Sequence, residues 1–411
     1  MRLLFVVQGY GAGVAGGAET ACRAFATRLA ARGHTVEVLS AADSPDTSAA
    51  TEDGVVVRRL GRAHPLDAAT FGPFTERAIY GHPPPALITQ ELWLRAQGPA
   101  LPDLEPWLAG AAGTFDVAVF FTYLFRTFWS GMATAAGRVP VVAHATAHDE
   151  PYFFLPAFDT ALRRPDAYAW FTEEERDLLR RRGDGHRPGM VIGIGVEMDR
   201  PADPARFRLA VPALGDRPYL LCLGRITAGK GVVELSEWFA AYKQRRPGPL
   251  ALVFVGAADV ELPAHPDVFV TGFVPDQLRT DALSGALALV QPSAMESFSM
   301  VLSEAWAQGR PGLVLGRSQV LAGQVRRSGG GASYRHYAEW AAAVDVLVDH
   351  PETADVWGSA GRRYAQEQYS WDAVLARYER LLSLAISLHH ERRAPRGGLR
   401  SRERTGPGGP R

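Results

Sequence analysis

Two doubly wound α/β domains, one after the other along the chain, are the architecture this 411-residue sequence points to. Three observations carry it. Short β-branched or apolar runs alternate with longer stretches of helical spacing, the alternation restarts in the second half, and a proline-rich stretch near residue 200 separates the halves. At about 150 residues per domain the length allows two to three such units.

Residues 3–8 read as a buried strand, 18–32 as a helix and 35–39 as the next strand, so a β-α-β unit with parallel strands opens the chain. Residues 63–112 fit neither period; with Pro83, Pro84 and Pro85 in a row and Trp93 and Trp107 in an amphipathic stretch, they are expected to form a helical, partly exposed insertion. Residues 191–195 read as the last strand of the first domain, and 196–218, holding Pro201, Pro204, Pro212 and Pro218, as a linker. The expected domains are therefore 1–200 and 201–388. The second repeats the pattern with strand 218–223, helix 232–246 and strand 250–256. Ser370 caps a long amphipathic helix expected to end near residue 388. Residues 389–411, with seven arginines against Glu391 and Glu403, bury too little apolar surface to offset ordering entropy and are expected to be a disordered basic tail.

Composition removes whole classes of function. Hydrophobic residues at 47% and charged residues at 21% suit a soluble globular chain. Lysine plus arginine, 44, equals aspartate plus glutamate, 44, so no global field steers a polyanion to the surface and no nucleic-acid partner is expected. Cys22 and Cys222, each in an apolar segment, read as buried free thiols in a reducing cytoplasm. The opening apolar run is too short for a signal peptide and no segment approaches 18 uninterrupted apolar residues, so the expectation is a cytoplasmic protein without a membrane span. The basic tail remains a candidate for peripheral contact with an anionic membrane. Nothing in the sequence sets an oligomeric state.

Four segments can carry chemistry. Gly11-Ala-Gly13-Val-Ala-Gly16 matches a dinucleotide fingerprint, but its first glycine lies several residues beyond the strand and residue 39 is followed by Ser40-Ala-Ala rather than an acid. The preferred reading is that Gly16 and Gly17 let an anion or sugar approach the amides of the helix that follows. In Gly224-Arg225-Ile-Thr-Ala-Gly229-Lys230-Gly231, a strand end, two cations and a helix start converge, as a diphosphate requires. Glu296 ends a loop after strand 286–290, and Glu304 follows eight residues on, so both carboxylates are expected along one face, two acceptors for a polyhydroxyl ligand. His148, followed by Asp149 and Glu150 after the short strand 141–143, stands four residues beyond His144; contact with a sugar, a structural role and a metal site are all open to it. Thr172 to Glu175 reads as a capping box, a marker of the fold. Phe120, Phe121, Tyr123, Phe125, Phe128 and Trp129 read as core in preference to an acceptor pocket. No Asp-x-Asp occurs, so no divalent ion is expected to hold the diphosphate, and no cofactor.

Together, Gly224 to Gly231, the pair Glu296 and Glu304, Gly309-Arg-Pro311, Gly16-Gly17-Ala-Glu19 and Gly33-His34-Thr-Val36 resemble glycosyltransferase family 4, whose GT-B fold sets two Rossmann-like domains face to face across a cleft. The resemblance covers residues 1 to about 388. It implies a retaining glycosyl transfer from a nucleoside diphosphate sugar, as co-substrate, to an acceptor hydroxyl. It places Arg225 and Lys230 on the donor diphosphate, Glu304 on the nucleotide ribose, Glu296 by the donor sugar and His148 facing that sugar. Gly224 and the backbone from Phe298 through Ser299 and Met300 to Val301 would approach sugar and phosphate oxygens. Phe273 lies in the stretch implied for the nucleobase, and Gly16, Gly17 and Glu19 in the acceptor or phosphate loop. Ser297 and Ser299 stand where the family commonly has glycine. The last helix crosses back onto the first domain in relatives. A nucleotide-sugar epimerase or phosphorylase, and a non-catalytic nucleotide-sugar sensor, are the alternatives.

Overall fold

The computed structural model describes residues 1–393 apart from 15, 65, 67, 81–84 and 184–186; Pro83, Pro84 and the segment 394–411 therefore lie outside the described residues. The first lobe is built on an eight-stranded sheet of β1 (Arg2–Val6), β2 (Thr35–Ala41), β3 (Ser48–Glu52), β4 (Val55–Leu60), β5 (Val117–Phe121), β6 (Val141–His144), β7 (Ala167–Trp170) and β8 (Gly189–Val191). Its order is β3-β4-β2-β1-β5-β6-β7-β8, with only the edge strand β3 antiparallel. The second lobe holds β9 (Tyr219–Leu223), β10 (Ala251–Val255), β11 (Val268–Val270), β12 (Ala288–Gln291), β13 (Gly312–Leu315) and β14 (Gly331–Tyr334), all parallel, in the order β11-β10-β9-β12-β13-β14. In each sheet the order reverses beside the first strand of the lobe, β1 or β9. Ligands of open parallel sheets bind beyond the strand carboxyl ends at such a point.

The central strands are apolar throughout because helices cover both faces; Leu3 to Val6 and Tyr219 to Leu221 are wholly buried. The helix Gly17–Ala31 packs Ala21, Cys22, Phe25, Ala26 and Leu29 onto the first sheet, one stripe of a 3.6-residue period. Residues 63–112 contain three helices, Ala68–Tyr80, Leu87–Gln97 and Leu104–Ala111, with Trp93 and Leu108 turned into the core. Both cysteines are buried and free. Of the aromatic group, Phe120, Phe121, Tyr123 and Phe128 are core residues, and no helix among the described residues is long and apolar enough to cross a membrane.

Two local expectations are corrected. The last strand of the first lobe is Gly189–Val191, earlier than 191–195, because pairing with β7 ends at Trp170. Within the linker Asp203 caps the helix Pro204–Ala210, with Pro204 at its first turn, and a 3₁₀ turn follows at Pro212–Leu214. The final helix runs Trp371–Arg393, so residues 389–393 are ordered helix rather than tail. What holds them is the first lobe, since the buried His389 Nδ1 lies 3.1 Å from Asp166 and Arg392 pairs with the same carboxylate at 3.1 Å. This helix lies on β5, β6, β7 and β8, so it completes the core of the first lobe.

Candidate active site

The cleft is assembled from strand ends. In the second lobe β9 runs into Gly224 and Gly231, whose φ values of +128° and +71° are in the region that favours glycine. A Cβ on Gly231 would stand 2.6 Å from the carbonyl oxygen of Pro292, so only glycine lets this loop sit against the one after β12. The helix Val232–Arg245 starts there and aims its free amides at the cleft. Arg225 is exposed and has no hydrogen-bond or ion-pair partner among the described residues. Lys230 donates from Nζ to Glu296 Oε1 at 2.7 Å, and Gln291 Nε2 donates to the same oxygen at 3.1 Å. Arg225, Lys230, Glu296 and Ser299 line a cavity of about 290 Å³ that Gly16, Gly17 and Thr20 of the first lobe close from the other side.

Ser299 precedes the helix Met300–Ala307 with φ 75° and ψ 82°, and its buried hydroxyl has no partner among the described residues. The left-handed residue stops the helix from extending back to Glu296. The expectation of both carboxylates on one helix face is corrected accordingly: Glu304 rides the helix, and Glu296 belongs to the loop before it. Glu304 accepts from Arg279 at 2.5 Å through Oε1, while its buried Oε2 has no partner among the described residues. Burial raises its carboxyl above the usual range, opposed by Arg279 and Arg200. It lines a neighbouring cavity of about 230 Å³ that shares Thr20 and Met300 with the first.

A third cavity, of about 320 Å³, brings His148 of the first lobe to Glu296 of the second. The imidazole is one-third exposed, with Nδ1 3.7 Å from Glu150 Oε1. The loop that carries it is pinned from below: the buried Glu175 accepts from the amides of Ala147 at 3.1 Å and Phe171 at 2.7 Å, while its own amide caps onto Thr172 Oγ1. Burial pushes the Glu175 carboxyl up to about 7 against those backbone donors. Thr172 Oγ1 also donates across the lobes to the carbonyl of Ser297 at 3.3 Å. His144 is enclosed by Phe25, Phe121, Phe171 and Tyr378, bonded to the Tyr378 hydroxyl at 3.0 Å. Desolvation lowers its pKa to about 3, so it is a neutral core residue, and among the described residues no three metal-ligating side chains gather around either histidine.

Two family models match the chain, "Glycosyltransferase Family 4" over residues 15–200 and "Glycosyl transferases group 1" over 206–364. The sequence is 30% identical, over 61% of this chain and 72% of the relative, to the GDP-mannose-dependent alpha-(1-6)-phosphatidylinositol monomannoside mannosyltransferase of Mycolicibacterium smegmatis. This chain belongs to glycosyltransferase family 4. It is 27% identical to the D-inositol 3-phosphate glycosyltransferase of Kineococcus radiotolerans over 89% of both chains. Its fold matches a sucrose-phosphate synthase from Thermosynechococcus elongatus with TM-score 0.68 at 19% identity, over 94% of this chain and 99% of that one. It also matches Anabaena HepE in complex with UDP-glucose, with TM-score 0.67 at 16% identity, over 94% of this chain and all of the other. The two facing parallel sheets are thus a GT-B fold, and the protein is an enzyme of glycosyltransferase type.

Within this glycosyltransferase the Phe298 ring, 2% exposed, packs edge-on against Tyr369 at 4.9 Å between centroids, and Phe298 does not line the three cleft cavities. Two further site expectations shift. Phe273 is 83% exposed and is not among the residues lining the three cleft cavities. Glu19 does not line them either; it accepts from Gln8 Nε2 at 2.6 Å and lies so close to Gly16 that a Cβ there would meet its Oε2 at 2.0 Å. Arg279, Thr20 and Arg317 lie outside every motif: each reaches the cleft through the packing of separate elements, and no local spacing marks them.

Proposed function

We propose that the enzyme moves a glycosyl group from a nucleoside diphosphate sugar, held mainly by the second lobe, to an acceptor hydroxyl held mainly by the first, with retention at the anomeric carbon and without a metal ion. The observation that carries this reading is the cavity in which Arg225, without a partner among the described residues, and Lys230, paired with Glu296, stand beside a helix start and face Gly16 and Gly17. As the sugar–oxygen bond lengthens, charge accumulates on the departing diphosphate, and two fixed cations with oriented amides stabilise that charge at the moment it develops. Arg225 can fork two phosphate oxygens, while Lys230 acts as a point charge after exchanging Glu296 for phosphate. Glu296, released, accepts from donor sugar hydroxyls; Ser299 Oγ and the backbone from 298 to 301 donate to phosphate or sugar; the unpartnered Glu304 Oε2 accepts from a ribose hydroxyl. His148 faces the reacting sugar from the opposite lobe.

The metal-free part of the reading is supported by those two cations, which supply the charge a divalent ion would otherwise bring. The names of relatives also support a nucleotide donor, since one is GDP-mannose-dependent and one neighbour is described with UDP-glucose. A thermal-shift series with UDP, GDP, ADP and TDP, each with and without EDTA, tests it. One nucleotide at 100 times its dissociation constant stabilises by about 2.7 kcal/mol, unchanged by EDTA. No shift with any nucleotide overturns the donor site, an EDTA-sensitive shift overturns metal independence, and an inverted anomeric product in an NMR assay overturns retention.

A further inference from the structure

Three carboxylates surround His148, and two of them are engaged elsewhere. Asp149 pairs with Arg181 at 2.9 Å, both side chains exposed, and the buried Glu175 is held by the amides of Ala147 and Phe171. The third, Glu150, has a side chain 14% exposed and lines none of the three cleft cavities. Its amide donates to the carbonyl of His148 at 2.9 Å, so the chain doubles back and sets the carboxylate beside the imidazole, Oε1 lying 3.7 Å from Nδ1. The same Oε1 accepts from the Tyr123 hydroxyl at 2.8 Å. Tyr123 is buried and wedged edge-on against Phe153 and Phe158, at 5.2 and 4.8 Å between centroids.

The residues that lead into this cluster are strained. Thr122 and Thr146, just beyond the neighbouring strands β5 and β6, have φ of +65° and +52°, which a β-branched residue keeps only where its surroundings over-determine it. Burial, reinforced by Glu150, holds the Tyr123 hydroxyl well above its ordinary pKa, so it remains a donor. One oxygen of Glu150 is thereby fixed, and a fixed carboxylate facing Nδ1 selects the imidazole form that carries a proton there. At 3.7 Å the approach is longer than a hydrogen bond, as such contacts commonly are before substrate binds. With Nδ1 turned to Glu150, Nε2 is left for the cavity shared with Glu296, where its lone pair can accept.

We infer that Glu150, held by Tyr123, is a positioning residue for His148: it keeps a proton on Nδ1 and presents Nε2 as an acceptor to a hydroxyl of the donor sugar. The inference rests on the reading above in which His148 faces that sugar. Glu150 then acts through the imidazole on the sugar alone, so its loss affects a nucleotide sugar and spares the bare nucleoside diphosphate.

Two-bond proton–nitrogen NMR spectra of the full chain, labelled in histidine and recorded near about pH 8.5, read the proton directly. His148 is identified by the signals that His148→Gln removes. Expected is a proton on Nδ1 in the unaltered chain, moved to Nε2 in Glu150→Leu and partly so in Tyr123→Phe. Titration calorimetry with UDP-glucose against UDP, and with GDP-mannose against GDP, gives a second reading. Glu150→Leu should weaken the sugar nucleotide that binds by about three- to tenfold and leave its diphosphate unchanged, which also shows that the variant folds. An Nδ1 without a proton in the unaltered chain, or one proton pattern common to the unaltered chain, Glu150→Leu and Tyr123→Phe, overturns the positioning role. The unaltered chain and Tyr123→Phe decide it even where Glu150→Leu does not fold. Equal weakening of sugar nucleotide and diphosphate assigns Glu150 to the scaffold and overturns it as well. Where neither nucleotide sugar binds the unaltered chain, the donor reading falls, and the position of the proton still decides the inference.

Discussion

Ser299 and Glu175 show how single side chains hold this site in shape. Ser299 occupies a left-handed conformation that a glycine adopts without strain, with its hydroxyl buried and unpartnered. Ser299→Gly is therefore expected to relieve about 1 kcal/mol of strain and raise Tm by about 2–4 °C, while weakening donor binding if that hydroxyl donates to phosphate. Calorimetric melting and donor KM, measured together, check both halves. Glu175 gives a pH signature. Its pKa in the fold, about 7, lies above the unfolded value, so between about pH 4.5 and 7 the folded state holds a proton that the unfolded chain has lost, and stability falls as pH rises through that window. His144, lowered to about 3, works in the opposite sense: the unfolded chain gains a proton below about pH 6.5 that the fold refuses, so stability falls as pH drops. The two slopes offset each other between about pH 4.5 and 6.5. In Glu175→Gln the first slope disappears, and the difference in unfolding free energy between variant and parent should change by about 1.4 kcal/mol per pH unit across that window. Denaturant titrations at four pH values check it, and a flat difference would show that Glu175 is ionised throughout. Because Glu175 also holds the Ala147 amide beside His148, the variant should lose turnover while keeping nucleotide affinity.

Among elements, the helix Trp371–Arg393 is the most heavily committed. It buries Val374, Leu375, Tyr378, Leu381, Leu382 and Ala385, and Tyr378 is both stacked among aromatic rings and bonded to His144. Tyr378→Phe keeps the packing and removes the one partner of a buried imidazole nitrogen, so about 1–3 kcal/mol of stability should be lost, read from urea midpoints at constant m. The helix itself was legible from its amphipathic period and Ser370, but its last turn was not. Residues 389–393 are polar and basic, and the distant Pro165 and Asp166 give them a reason to stay helical. The same division runs through the site. Gly224, Arg225, Lys230, Glu296 and Glu304 stand out because a strand, a loop and a helix start follow one another in sequence. The break at Ser299, the burial of Phe298 and the capture of Glu19 by Gln8 depend on packing between segments, which local spacing does not encode. Within the linker the prolines mark turns, and Asp203 with Pro204 also makes a helix start.

At the scale of the molecule, the two lobes meet through few polar contacts around a shared apolar seam. Thr172 reaches Ser297, Arg327 pairs with Glu174 at 2.5 Å, and Phe298 packs between Phe171 and Tyr369. Glu296 lies where the donor cavity and the His148 cavity adjoin, so its state reports on both lobes. Glu296→Gln frees Lys230 from its carboxylate; nucleoside diphosphate affinity should hold or tighten by up to about tenfold, while turnover falls by about a hundredfold or more. Titration calorimetry and initial rates separate the two, and parallel loss of both would show that Glu296 acts only as a structural partner of the lysine. The closing helix has one more consequence, for synthesis on the ribosome. The first lobe's aromatic trough around Phe5 and His144 stays open until residues 371–393 emerge, so a nascent chain halted near residue 200 should bind chaperones and resist compaction, and the first lobe should mature only after the second has been made.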